Sequence, residues 1–392
     1  MIEWVKKAIF VKGLTNPTFF RRVVRPLAYK LSQGDPEKVH EMALTALNEF
    51  EESVREVASY FDFPYLKVSF AGKQVTPFGT AAGFDKNGDV LSPLSYIFGF
   101  QEVGTVIVNP REGNPRPRVA IDSKNGDLYN AQGFPSKGLD YFLKNIRTYR
   151  EKGGDGFILV SVCGLPPSSD RLDISREELS TLVDSINPYV EGFVWNPFSP
   201  NTAALSALRA TEEFGRAASL IAQKTSGKPL LVKMGPYDAD QEKRDNWLDL
   251  VDAWLKNGGT GLVAVNTYMT PKEKVPSETW GYPSAGRSGR FLQSYRDRAV
   301  KDARKVFPDA TIIATGGIDT GEQAWNAFKS GADLLEGYTP YTFNGLGLLH
   351  DLACAVDTTL DMLGYKGRYE EGTGRQITSR LQEFFDFGRS KP

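Results

Sequence analysis

The side chains able to do chemistry gather in a few short stretches. An apolar run, Gly192-Phe193-Val194-Trp195, breaks at Asn196-Pro197 and continues as Phe198-Ser199-Pro200-Asn201-Thr202. Two prolines without N–H groups stiffen that loop, so Asn196, Ser199 and Asn201 stand on a rigid turn just past a strand end. An ordinary Asn/Ser/Pro turn has the same composition, and the loop alone does not decide between the two readings. Lys233 ends a second apolar run, Pro229-Leu230-Leu231-Val232-Lys233. A charge there is costly unless paired. It either escapes to solvent or is a fixed cation facing an anion or a developing negative charge. Lys86 follows Gly83-Phe84-Asp85, where Asp85 is its simplest partner. Thr315-Gly316-Gly317-Ile318, Gly337-Tyr338-Thr339 and Ser288-Gly289-Arg290 allow the close backbone approach that a phosphate cradle uses.

These stretches need elements to hold them. Apolar strand-like runs at 78–82, 101–106, 156–162, 192–195, 229–233, 261–265, 311–315 and 334–337 alternate with helical patterns. The helical patterns cover 88–97, 137–151, 175–187, 203–225, 243–257, 291–306, 320–330 and 345–363. The alternation predicts an α/β fold, a (β/α)8 TIM barrel, in which active sites lie at the C-terminal rim of the strands. Each of the eight junctions ends in polar or glycine residues: Lys86, Thr105, Ser161, Asn196, Lys233, Asn266-Thr267, Gly316-Gly317 and Tyr338-Thr339. That concentration marks the rim as the active site. The Pro/Gly-rich stretch 108–131 predicts a hairpin inserted after the second strand, and Tyr268–Ser288 reads as a long loop, either a lid or simply solvated.

With 392 residues, 41% hydrophobic and 24% charged, the chain has ordinary globular composition, and its net charge of −1 gives no sign of a nucleic-acid partner. Cys163 and Cys354 form neither a disulfide framework nor a zinc site, and they suit a reducing cytoplasm. His40 and His350 are too few for a histidine metal centre or a Ser-His-Asp triad, so no metal is expected. Cys163 reads as a small packing residue. No apolar run is long enough to span a membrane, and no cleavable signal peptide is evident. Residues 1–66 predict an N-terminal helical extension ahead of a barrel over 67–366 and a C-terminal tail over 367–392. Residues 1–31 carry a local net charge of +6, with Phe19, Phe20, Val23, Val24, Leu27 and Leu31 at helical spacing. Asp35-Pro36 predicts an N-cap and first turn for the next helix. The extension is either a packed helical hairpin or a basic amphipathic element lying on an anionic membrane. In the tail, Ile377, Leu381, Phe384 and Phe385 suggest one short docking helix.

Taken together the motifs resemble the dihydroorotate dehydrogenase family. The matching pieces are Ala81-Ala82-Gly83-Phe84-Asp85-Lys86-Asn87-Gly88, Glu102-Val103-Gly104-Thr105, Gly113-Asn114-Pro115-Arg116-Pro117-Arg118 and Asn130-Ala131-Gln132-Gly133-Phe134, followed by the Asn196–Thr202 loop, Val232-Lys233, Asn266-Thr267, Ser288-Gly289-Arg290, Gly316-Gly317-Ile318-Asp319 and Tyr338-Thr339. Asp35-Pro36-Glu37-Lys38-Val39-His40 resembles the helical extension of the membrane-associated, quinone-reducing class. The resemblance implies FMN-dependent oxidation of (S)-dihydroorotate to orotate in pyrimidine synthesis, with a quinone reoxidising the flavin. It also implies a cytoplasmic protein peripheral on the inner face of the cell membrane. Ser199 is then the base, and Lys86 meets the substrate carboxylate and the flavin. Asn130, Gly133, Phe134, Asn196, Asn201, Asn266 and Thr267 bind substrate. Ala82, Gly83, Thr105, Ser161, Asn196 and Lys233 line the flavin, and Gly289, Gly316, Gly317, Tyr338 and Thr339 hold its phosphate tail. The sequence departs from the quinone-linked pattern at Ser161 (usually asparagine), Ile121 (usually arginine), Ala131-Gln132 and Pro135-Ser136. These changes cluster toward the second substrate, so a related FMN-dependent barrel oxidoreductase with another acceptor or substrate is the alternative expectation.

Overall fold

Eight short buried strands pair in parallel and close on themselves. The computed structural model describes residues 2–199, 202–369 and 376–389. The barrel strands are β1 (Phe78–Thr80), β2 (Phe100–Val106), β3 (Ile158–Val162), β4 (Gly192–Trp195), β5 (Leu230–Met234), β6 (Gly261–Ala264), β7 (Thr311–Thr315) and β8 (Leu334–Gly337). They follow one another around the barrel in sequence order, and β8 pairs with β1 through Gly337↔Thr80. Every residue of β3 and β5 is buried, which is why these strands read as continuous apolar runs without alternation.

Helices cover the outside, and their boundaries follow local signals. Thr320 and Gln323 close a capping box on Gly321–Ser330, and Asp240 caps Gln241–Lys256 by accepting from the Lys243 N–H. Expected helix 203–225 divides into a 3-10 turn, Ala203–Leu208, and a helix, Thr211–Thr225. Trp195 at the end of β4 stacks on Trp254 with ring centroids 5.6 Å apart, tying that strand to the helix after β5.

A second layer covers one side of the mouth. The inserted hairpin forms as Val119–Asp122 and Asp127–Asn130, but Tyr268–Pro271 and Ser284–Gly289 are also strands and not a plain loop. The four make one antiparallel sheet, in which Gly286 pairs with Asn130 and Gly289 with Asp127. Ser284-Ala285-Gly286-Arg287-Ser288-Gly289 has weak strand propensity, so the pairing depends on a partner far away in sequence. That is why a reading of local pattern leaves it as loop.

The N-terminal extension packs beside this sheet. Ile2–Thr15 is a helix, and a nearly continuous helical stretch follows from Pro17 to Leu31. Asp35 caps Pro36–Glu49 by accepting from the N–H groups of Glu37 and Lys38. Glu37 then meets Arg118 of the insertion, with Nη2 2.7 Å from Oε1. Both side chains are buried, and Arg118 also donates to the carbonyls of Glu112 and Asn114. In the tail, Arg380–Arg389 is a helix that buries Leu381 and Phe385 and sets Phe384 against Trp325. The side chain of Ile377 lies outside the described residues.

Glu37→Ala strips a buried guanidinium of its carboxylate and is expected to cost about 3 kcal/mol of stability. Glu41→Ala, which opens only an exposed pair with Arg116, is expected to cost under about 1 kcal/mol. Urea unfolding of both variants checks the contrast.

Candidate active site

The C-terminal ends of the strands surround a cavity. Ala82, Gly83, Lys86, Thr105, Asn130, Gly133, Phe134, Asn196, Ser199, Lys233, Asn266, Thr267, Gly289, Gly316, Gly317, Tyr338 and Thr339 all line it. Asn201 lies outside the described residues. Ser161 does not reach the wall. It is fully buried behind Thr105, with the two hydroxyl oxygens 3.0 Å apart.

From Ser161 a chain of side-chain hydrogen bonds runs along the rim. The Asn196 amide donates to Thr105 Oγ1 at 2.9 Å, and the Asn266 amide donates to Asn196 Oδ1 at 3.0 Å. Asn266 Oδ1 accepts from the Thr267 N–H at 2.8 Å. Neighbours thus fix which end of each carboxamide is donor and which acceptor. Arg209 pins the loop beyond β4: its guanidinium donates to the carbonyls of Pro197 and Ser199 at 3.2 and 3.3 Å and lies over the Phe198 ring. Its position past the loop gave no sequence sign of that role.

The two lysines behave differently. Asp85 is not the partner of Lys86. Its buried carboxylate accepts instead from the N–H groups of Asn87, Asp89 and Val90, bracing the turn. Among the described residues, no carboxylate lies within ion-pair distance of the Lys86 ammonium. Burial lowers its pKa, the Arg118 charge adds to that, and the charges of Glu37, Asp85 and Glu41 oppose it. An amine on a cavity wall in this state favours an anionic ligand that restores its partner. Lys233 neither escapes to solvent nor stands alone. Its ammonium is 2.6 Å from Glu102 Oε2 and 2.9 Å from Glu336 Oε1. Burial pulls its pKa down, but the two carboxylates outweigh this and hold it above the usual lysine value. Glu102 also accepts from the Ala82 N–H at 3.2 Å. Local sequence marks neither glutamate as a partner of Lys233, because both sit inside apolar strands and meet it only when the barrel closes.

The turns after β7 and before the helix Gln293–Val306 come together on glycine. A Cβ on Gly317, at φ +67°, would fall 2.8 Å from the Gly289 carbonyl oxygen, and one on Gly289, at φ +100°, 2.3 Å from that of Gly126. Only glycine lets these backbones approach each other and a ligand. Ser288 and Thr339 share a hydroxyl–hydroxyl bond of 2.8 Å at the same edge. Cys163 is buried, and burial raises its pKa, so it remains a thiol.

A second cavity opens between the N-terminal helices and the barrel, walled largely by apolar side chains such as Phe10, Leu14, Phe20, Val24 and Leu346. Val119, Leu128, Gln132 and Tyr338 line both cavities, and Ile121 faces only the second. His40 stands at this boundary, its Nε2 2.8 Å from the Phe84 carbonyl oxygen and its ring edge-on to Tyr338. Burial, with the Lys86 charge, lowers its pKa from 6.5 to about 3, so the ring is neutral and donates from Nε2.

A closed parallel barrel with a polar rim, an unpaired lysine and a glycine cradle defines a (β/α)8-barrel enzyme. The sequence profile of the dihydroorotate dehydrogenase family matches residues 65–360. The dihydroorotate dehydrogenase (quinone) of Corynebacterium striatum is 32% identical over 332 residues, covering 81% of this chain and 88% of that protein. That of Methylococcus capsulatus is 32% identical over 356 residues, covering 86% of this chain and 98% of that protein. The crystal structure of the Eimeria tenella enzyme in complex with ferulenol superposes with a TM-score of 0.69 at 26% identity, covering 86% of this chain and 94% of that one. The chain belongs to the dihydroorotate dehydrogenase family, in its quinone-linked class.

His40 makes the fold acid-sensitive. The unfolded ring takes a proton below pH 6.5 and the folded one only near pH 3, so this contribution is complete above 6.5 and is lost on the way down. The loss amounts to roughly 4 kcal/mol across that window. His40→Gln is expected to flatten the fall in Tm between about pH 7 and pH 4 relative to the unaltered protein.

Proposed function

We propose that this protein oxidises (S)-dihydroorotate to orotate in pyrimidine biosynthesis, with FMN in the rim cavity and a quinone as final acceptor. The carrying observation is the unpaired Lys86 ammonium sharing one cavity with Asn130, Asn196, Asn266 and Ser199. A dihydropyrimidine carboxylate needs one fixed cation and several groups that both donate and accept. Carboxamides provide both.

The residues present fit FMN. Lys233 offers a cation at the cavity wall, Ala82, Gly83 and Thr105 leave a small-residue face for a flat ring, and the Gly289–Gly316–Gly317 cradle with Tyr338 and Thr339 suits a phosphate. FMN, when bound, accepts the hydride. The chain's own residues do the rest. Lys86 holds the substrate carboxylate, and the carboxamides hold the ring edge. Ser199 takes the C5 proton as the C6 hydride leaves. A serine hydroxyl is a weak base in water, so this role needs a desolvated site and a route for the proton. The neighbouring apolar cavity suits a quinone, which would meet the cofactor across the shared wall.

Trp4 is 73% exposed and Leu31 65%, with Val23 and Leu27 also outside, while Phe20 and Val24 turn inward to the second cavity. The outward side, with its Lys/Arg excess, suits an anionic bilayer surface. None of the helices described is long and apolar enough to cross a membrane.

The test is an anaerobic spectrum of the purified protein. A flavin band that bleaches on adding dihydroorotate is the expected result, and a band that persists overturns the substrate. Ser199→Ala is expected to bind flavin normally yet bleach at least about 100-fold more slowly. In flotation assays the full-length protein is expected to bind anionic vesicles at low salt. Replacing Trp4, Leu27 and Leu31 together by serine is expected to release it.

A further inference from the structure

Behind Lys233 the barrel holds one more carboxyl than it has cations to match. Lys233 on β5 is the member that reaches the cavity wall. Glu102 on β2 and Glu336 on β8 lie behind it with fully buried side chains, each within ion-pair distance of the same ammonium. Their other oxygens, Glu102 Oε1 and Glu336 Oε2, are also buried and have no hydrogen-bond donor among the described residues. With both ionised, two carboxylates crowd one ammonium in a dry interior and leave an uncompensated negative charge, an arrangement that neighbouring carboxyl groups avoid by keeping a proton. One proton between them supplies the missing donor. It also leaves Lys233 matched by a single carboxylate.

We propose that Glu102 and Glu336 share one proton beneath the cofactor cavity, and that Glu336 acts through Lys233 as a positioning residue that sets the charge presented to the flavin. This rests on the FMN reading of the cavity. The groups facing Glu336 are Glu102, Lys233 and the Tyr341 phenol on the helix after β8, and Lys233 is the one cation among them. The direction of the Glu336 pKa agrees. Burial first, then the Glu102 charge, raise it well above the carboxylate range against the pull of Lys233. While the proton is held, the three groups are neutral together. When it leaves at high pH, a net negative charge remains under the cavity, and adding electrons to a neighbouring cofactor becomes harder.

Two measurements on the full-length holoenzyme test this. In infrared spectra recorded in H2O and D2O, the protein is expected to show a protonated-carboxyl C=O band at neutral pH that shifts on deuteration. Glu336→Gln is expected to lose that band. Glu102→Gln should lose it too, because the remaining carboxyl then pairs with Lys233 as a carboxylate. In a redox titration, the midpoint potential of the bound flavin is expected to show an extra downward inflection at alkaline pH. Glu336→Gln should abolish the inflection and leave the neutral-pH potential unchanged, since glutamine matches the charge of a protonated acid. A higher neutral-pH potential in Glu336→Gln, or no band that either glutamine removes, overturns the proposal. If Glu336→Gln does not fold, the Glu102→Gln band and the inflection of the unaltered protein decide. A protein that takes up no flavin overturns the functional reading instead, and the infrared result still decides whether the proton is shared.

Discussion

The cost of placing a charged lysine inside a parallel barrel governs how the centre of this protein is built. Lys233 stays charged only because β2 and β8, reaching it from two other parts of the barrel wall, each supply a glutamate. None of the three residues is stable in that interior alone. Each becomes so when the sheet closes and the others arrive. The same closure fixes where positive charge lies beneath the rim cavity, because an ammonium held at two oxygens has little freedom to turn.

Above that floor, the rim obtains order by a different route. The hydrogen bonds from Ser161 through Thr105, Asn196 and Asn266 to Thr267 link the ends of β3, β2, β4 and β6. Each group orients the next, so a ligand meets amides already turned toward it. Ser161 contributes from behind the wall, and Arg209 holds the loop through two carbonyls. Lys86 is the complement: Asp85 is occupied by backbone N–H groups and leaves the ammonium to the cavity.

Much of this was legible in the sequence, for identifiable reasons. Strands buried on both faces show as unbroken apolar runs, and caps such as Asp35 and Thr320 mark helix starts locally. The rim residues followed from strand ends. What escaped depends on closure or on distant pairing. Glu102 and Glu336 look like misplaced charges until Lys233 arrives. Ser284–Gly289 becomes a strand only against Asp127–Asn130. Adjacency in sequence makes Asp85 the simplest partner of Lys86. The turn instead aims the carboxylate at its own backbone.

The two cavities meet at Val119, Leu128, Gln132 and Tyr338, which line both. Two adjoining chambers give room for two molecules, one in the barrel mouth and one among the N-terminal helices. A compound that fills the apolar chamber has no need to evict whatever occupies the barrel. A change in any of these four side chains reshapes both rooms at once.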